Sequence, residues 1–104
     1  MNEQQQNLNK QFHNDETLKF RAHSRAVKQF GFWAAEALGM SGDDAECYAQ
    51  SLVDIDFDEP GVGNVLCKAR KDLSCHGRDV TIERLEEVFE DKYATAKVSV
   101  LQEM

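Results

Sequence analysis

Three groups of residues in this chain have types that could do chemistry. Asp54, Asp56 and Asp58 alternate in the run Asp-Ile-Asp-Phe-Asp-Glu-Pro, the spacing with which an EF-hand loop offers its first carboxylates to calcium. A loop starting at Asp54 would need glycine where Glu59 stands and a bidentate glutamate where Val65 stands, and Pro60 interrupts it. The three aspartates therefore read as a solvated helix end and turn. Gly61-Val62-Gly63 is a fragment of a phosphate-binding loop, but no Lys-Ser or Lys-Thr follows and no strand precedes it, so it reads as a helix start. Cys67, Cys75 and His76 offer neither a Cys-x-x-Cys pair nor two histidines at i, i+4. Four zinc ligands would require His13 or His23 from elsewhere, and small buried or half-buried thiols are the expectation. With no convergent constellation, the residues assign no metal site and no catalytic residue, and the chain is not expected to be an enzyme.

The elements that would position such groups are helical. The chain has 104 residues, one domain in size, with six glycines and Pro60 as its one proline, which argues against a turn-rich all-β fold. Leu18, Ala22, Ala26, Phe30, Trp33 and Ala37 recur at spacings of four and three, widened by Val27, Ala34 and Leu38. This predicts a first helix from Asn14 or Asp15 to Gly39. Gly31 inside it costs about 1 kcal/mol relative to alanine and implies a close neighbouring helix. Ser41 and Asp44 resemble a capping box before Ala45, Tyr48, Ala49, Leu52 and Val53. Pro60 ends that helix. Val62, Val65, Leu66, Ala69 and Leu73 define a third, closed by Gly77. Thr81 caps a fourth, with Ile82, Leu85, Phe89, Tyr93, Ala96 and Val100 inward and Glu83, Glu86, Glu87 and Glu90 outward. Short connections make this a compact all-α four-helix bundle.

Residues 1–13 break the pattern. MNEQQQNLNKQFH holds only Leu8 and Phe12 as sizeable apolar side chains after Met1, too little to offset the entropy of ordering it. The expected organisation is a disordered N-terminal arm, 1–13, on a four-helix domain, 14–104. Leu8 and Phe12 stand at i, i+4, so a helical arm would present both on one side as anchors for a groove.

Charge divides the chain in the same way. Net charge is −7. Through Leu38, five basic residues face four acidic ones; beyond it, seven basic face fifteen acidic. The acidic body argues against nucleic acid and anionic membranes as partners. Arg21, Arg25 and Lys28 form a basic stripe on the first helix that could be solvated, dock an acidic partner or meet the glutamate face of the fourth helix. No apolar stretch approaches the ~20 residues of a membrane span, and no signal peptide is expected. Cys47, Cys67 and Cys75 cannot form a closed disulfide framework, which fits reduced thiols in a cytoplasm.

Asp15-Glu16-Thr17-Leu18-Lys19-Phe20-Arg21-Ala22, Gly31-Phe32-Trp33-Ala34-Ala35-Glu36, Leu38-Gly39 and Asp56-Phe57-Asp58-Glu59-Pro60-Gly61 occur in that order. In these blocks the chain resembles the zeta subunit family, the small inhibitor proteins of alphaproteobacterial F-type ATP synthases. The resemblance runs from about Phe12 to the last helix. It implies a four-helix body whose mobile N-terminal region becomes helical on entering a catalytic interface of the ATPase head, beside the rotor, and blocks rotation in the hydrolytic direction. Lys10 and Phe12 match the family's arm, and with Leu8, read from its spacing to Phe12, and Leu18, Lys19 and Phe20 at the start of the first helix they are the expected inhibitory contacts. The implied partner is the catalytic head, met by a free monomer in the cytoplasm, peripheral to the membrane through the synthase. No cofactor is required; weak adenine nucleotide binding on the body is implied without residues to carry it. The arm departs from the family pattern: amides stand where acids and bases are expected. The competing expectation is a nucleotide-binding or regulatory bundle that keeps the fold and lacks strong inhibition.

Overall fold

A computed structural model describes the backbone of residues 2–103 and the side chains of 16–103. Within these limits the chain is four helices without a strand: α1 Asn2–Ala37, α2 Gly42–Asp58, α3 Val62–Cys75 and α4 Ile82–Glu103. α1 takes in the stretch expected from Asn14 or Asp15 and continues back to Asn2. The side chains of the arm, Leu8, Lys10 and Phe12 among them, lie outside the described residues.

The helix ends follow from local chemistry. α1 and α3 both stop in Schellman turns. Gly39 and Gly77 have φ of 82° and 76°, a region costly for any residue with a Cβ. Around Gly39, its own N–H reaches Glu36 O and the Met40 N–H reaches Ala35 O; around Gly77, its N–H reaches Ser74 O and the Arg78 N–H reaches Leu73 O. Carbonyls orphaned at each helix end are thereby satisfied. α4 begins where Thr81 Oγ1 accepts the Arg84 N–H at 3.1 Å. α2 departs from expectation: Ser41 occupies the N-cap position with extended backbone but makes no side-chain capping bond. Asp43 and Asp44 in the first turn still face the positive end of the helix dipole.

The core gathers the inward stripes. Ala22, Ala26, Val27, Phe30 and Ala34 of α1 pack with Leu52 of α2, with Val65, Leu66, Ala69 and Leu73 of α3, and with Leu85, Val88, Phe89 and Ala96 of α4. Phe30 is fully buried, edge-on to Phe89 with ring centroids 6.2 Å apart. Trp33, expected to share that burial, is only half-buried: it lies over Phe30 at 5.8 Å and packs on the rim of the core. Spacing puts Trp33 on the stripe, but neighbouring helices cover the indole only in part. The expected close approach at Gly31 is present, against Ala49 of α2.

A polar link joins α2 to α3, and an ion pair within α3 shares its acceptor residue. The half-buried Tyr48 hydroxyl of α2 donates to Asp72 Oδ2 of α3 at 2.8 Å, and Lys68 donates to Asp72 Oδ1 at 3.0 Å. Burial, then the bond to Asp72, pushes the Tyr48 phenol well above its ordinary range, so it stays a neutral donor.

Candidate functional site

α1 positions most of what the described chain offers a partner. It packs antiparallel to α2: His23 Nε2 sits 2.9 Å from Asp56 Oδ1, near the end of α2. It also packs antiparallel to α4: Arg25 donates to Ser99 Oγ at 3.2 Å and to Glu103 Oε1 at 2.9 Å, near the end of α4. The start of the α1 body and the ends of α2 and α4 therefore share one end of the bundle.

At that end the buried stripe of α1 begins only at Ala22; none of the described residues before it is buried. Leu18 is half-buried, Lys19 is exposed, and Phe20 is 71% exposed. These three members of the expected inhibitory set therefore lie where a partner can reach them. Phe20 becomes informative through its neighbours, because it lines two adjoining grooves.

Beside Phe20 runs a groove of about 450 Å³ lined by Arg21, Ser24, Arg25, Lys28, Gln29, Gln50 and Val53. The basic stripe is thus the wall of a concavity. Its ion pairs are not with the glutamate face of α4. Arg25 is held by Glu103, and Lys28 stands 3.7 Å from Glu46 of α2. The hydrogen bond from Arg25 holds the Glu103 carboxyl below its ordinary value, and the same bond raises the Arg25 guanidinium. A second groove, about 310 Å³, shares Phe20, Ser24 and Val53 and is closed by His23, Asp56, Phe57 and Pro60. His23 is fixed there between Asp56 and the Phe89 ring, 5.9 Å away.

The ATPase inhibitor subunit zeta family matches residues 1–99 of this sequence. The chain belongs to that family. Comparison with curated proteins and with solved structures returns no match. The family's name is that of an ATPase inhibitor subunit, which implies a regulatory protein associated with the synthase.

The remaining candidate residues of this zeta-family chain form no chemical centre among the described residues. Cys47, Cys67 and Cys75 are all exposed, against the expectation of buried or half-buried thiols. Each lies outside the inward stripe of its helix, which the aliphatic residues already fill. Asp54 accepts from Gln50 and Asp56 pairs with His23, so the alternating aspartates serve helix end and tertiary contact. Among the described residues no group of three or more His, Cys, Asp or Glu side chains could hold a metal ion. Nor is any described helix long and apolar enough to cross a membrane.

Sequence reasoning missed Phe57, which is 82% exposed. One signal was available: Phe57 falls off the stripe of Ala45, Ala49 and Leu52 and stands between two aspartates.

Proposed function

We propose that this chain inhibits ATP hydrolysis by the F-type ATP synthase, with residues 1–13 and the start of α1 wedging into a catalytic interface of the head and blocking the rotor. The observation that supports the reading is the family match over residues 1–99, joined to an α1 that leaves Lys19 and Phe20 exposed at the start of its described side chains. An apolar ring such as Phe20, 71% exposed, offers a surface to another protein. Leu8, Phe12 and Phe20 supply apolar anchors and Lys10 and Lys19 supply cations, as a helix laid in a groove requires. The action is mechanical and needs no cofactor. The partner places the protein in the cytoplasm, at the membrane through the synthase.

Deleting residues 2–13 tests this. The thermal melt should change little, because residues from Ala22 to Ala96 already form a core cluster across all four helices, while inhibition of the detached ATPase head should vanish. Phe12→Ala alone should weaken inhibition by about 2 kcal/mol, the threshold of a hot spot. Equal inhibition by the truncated chain would move the activity to the body.

A second reading, a regulatory bundle with weak adenine nucleotide affinity, draws on the groove of Phe20, Arg21, Arg25 and Lys28. Cations suit phosphates and an exposed ring suits a base. ATP-induced NMR shifts confined to these residues, in a chain that fails to inhibit, would favour it.

A further inference from the structure

The four exposed large hydrophobic residues of the described chain are Phe20, Phe57, Val98 and Leu101. Phe20 lies at the start of the α1 body, Phe57 in the last turn of α2, and Val98 and Leu101 in the last turns of α4. Because α2 and α4 run antiparallel to α1, as the contacts of His23 with Asp56 and of Arg25 with Ser99 require, all four belong to one end of the bundle. It is the end from which α1 continues towards Asn2. The opposite end, built from the α1–α2 and α3–α4 connections, has none. Scattered apolar side chains need no explanation, but two of these, Phe20 and Phe57, line one groove with Val53 and Pro60, and a contiguous apolar patch marks a contact surface.

Phe57 is the informative member. In the block Asp56 to Gly61 the fold uses nearly everything else. Asp56 pairs with His23, Glu59 accepts from Asn64 at 3.0 Å, Pro60 stops α2, and Gly61 turns the chain with φ of 135°. Phe57 stands 82% in solvent and contributes one wall of the groove it shares with Phe20, Val53 and Pro60. On the α2 side of this groove the charge is acidic, with Asp54, Asp56, Asp58 and Glu59 in sequence around Phe57. Asp54 and Glu59 accept from neutral amides. The last turn of α2 has no basic residue, although the negative end of its dipole favours one. Asp56 is the one acid of this run matched by a basic side chain of the bundle in a described contact, His23.

We propose that Phe57, with Phe20, Val53 and Pro60, forms a second docking surface for the ATPase head, distinct from the arm, that receives an apolar side chain flanked by a cation. This rests on the reading of the chain as an ATPase inhibitor. The apolar groove fits a leucine- or methionine-like anchor. Asp54, Asp58 and Glu59 supply the partner's cation with the counter-charge that the protein itself withholds. The surface lies at the arm's end of the bundle, so arm and body can be held by one partner at once. Each contact then raises the effective concentration of the other.

The test uses the full chain and the detached ATPase head, with binding and inhibition measured separately. Phe57→Ser should leave the melt unchanged and weaken binding at least tenfold. Phe57→Leu, which keeps an apolar contact and guards against a local folding effect, should bind within a few-fold of the parent. Asp58→Lys should weaken binding and flatten its salt dependence. Parent-like binding by Phe57→Ser, with the parent inhibiting, would overturn the docking surface and leave the arm reading intact. A parent that binds without inhibiting, and loses binding on Phe57→Ser, would overturn the wedge and keep the surface. No binding of the parent to the head would overturn both.

Discussion

Gly31 of α1 faces Ala49 of α2 so closely that a Cβ added to the glycine would stand 2.6 Å from the Ala49 Cα. The obstacle is backbone, so no rotamer change relieves it. Gly31→Ala gains about 1 kcal/mol of helix propensity, but it must push two helices apart along a seam that also carries Phe30 and Leu52. Overpacking of this kind costs roughly 1–3 kcal/mol, occasionally more. The expected outcome is a net loss of about 2 kcal/mol in urea unfolding. A stabilised variant would show that α1 and α2 can separate freely.

Phe30 and Trp33 stack on each other yet should respond differently to truncation. Phe30 is fully buried among all that α1 and α4 pack between them, so Phe30→Ala should cost about 3–5 kcal/mol. Trp33 keeps part of its ring in solvent, and Trp33→Ala should cost about 2 kcal/mol, in proportion to the area it hides. Comparison of the two urea midpoints at equal slope checks the order. Reversal would place the centre of the core nearer the α1–α2 turn.

The Arg25–Glu103 pair gives the end of α4 a pH dependence. The Glu103 carboxyl is held below its ordinary value by the bond from Arg25. Its contribution is therefore fully present above the ordinary glutamate range and lost as pH falls through the lower, folded value. The pair is exposed, so the effect on global stability is small; the effect on fraying of the last turn is what should be visible. A carboxyl NMR titration should place the Glu103 midpoint below that of an ordinary glutamate, and Arg25→Gln should move it back towards that value, with Arg21 still pulling it down. A midpoint unmoved by Arg25→Gln would mean the pair does not persist in solution.

Much of the body was legible because helical periodicity and burial are one pattern seen twice. The stripe from Ala22 through Ala34, the aliphatic residues of α3, and Leu85, Phe89, Ala96 and Val100 of α4 are buried where their spacing places them. The stops at Gly39 and Gly77 were legible as well, since only a residue without a Cβ enters that backbone region cheaply. Gly31 announced a close helix before its neighbour was known. The family, too, was written in local blocks of sequence.

What the sequence could not decide depends on which helices meet and in what direction. Spacing on α1 marks Arg25 as basic and outward, but not that its partner is Glu103, 78 residues away, rather than the glutamates of the α4 outer face. The same holds for His23 with Asp56 and Tyr48 with Asp72. Trp33 and the three cysteines show the limit within a helix. Periodicity gives the middle of a buried face, while its edges are set by how far neighbouring helices reach. The grooves around Phe20, and the gathering of Phe57 with it at the arm's end, exist only because antiparallel packing brings distant helix ends together. A one-dimensional pattern determines which side chains turn inward. The crossing of the helices alone determines which outward ones become neighbours.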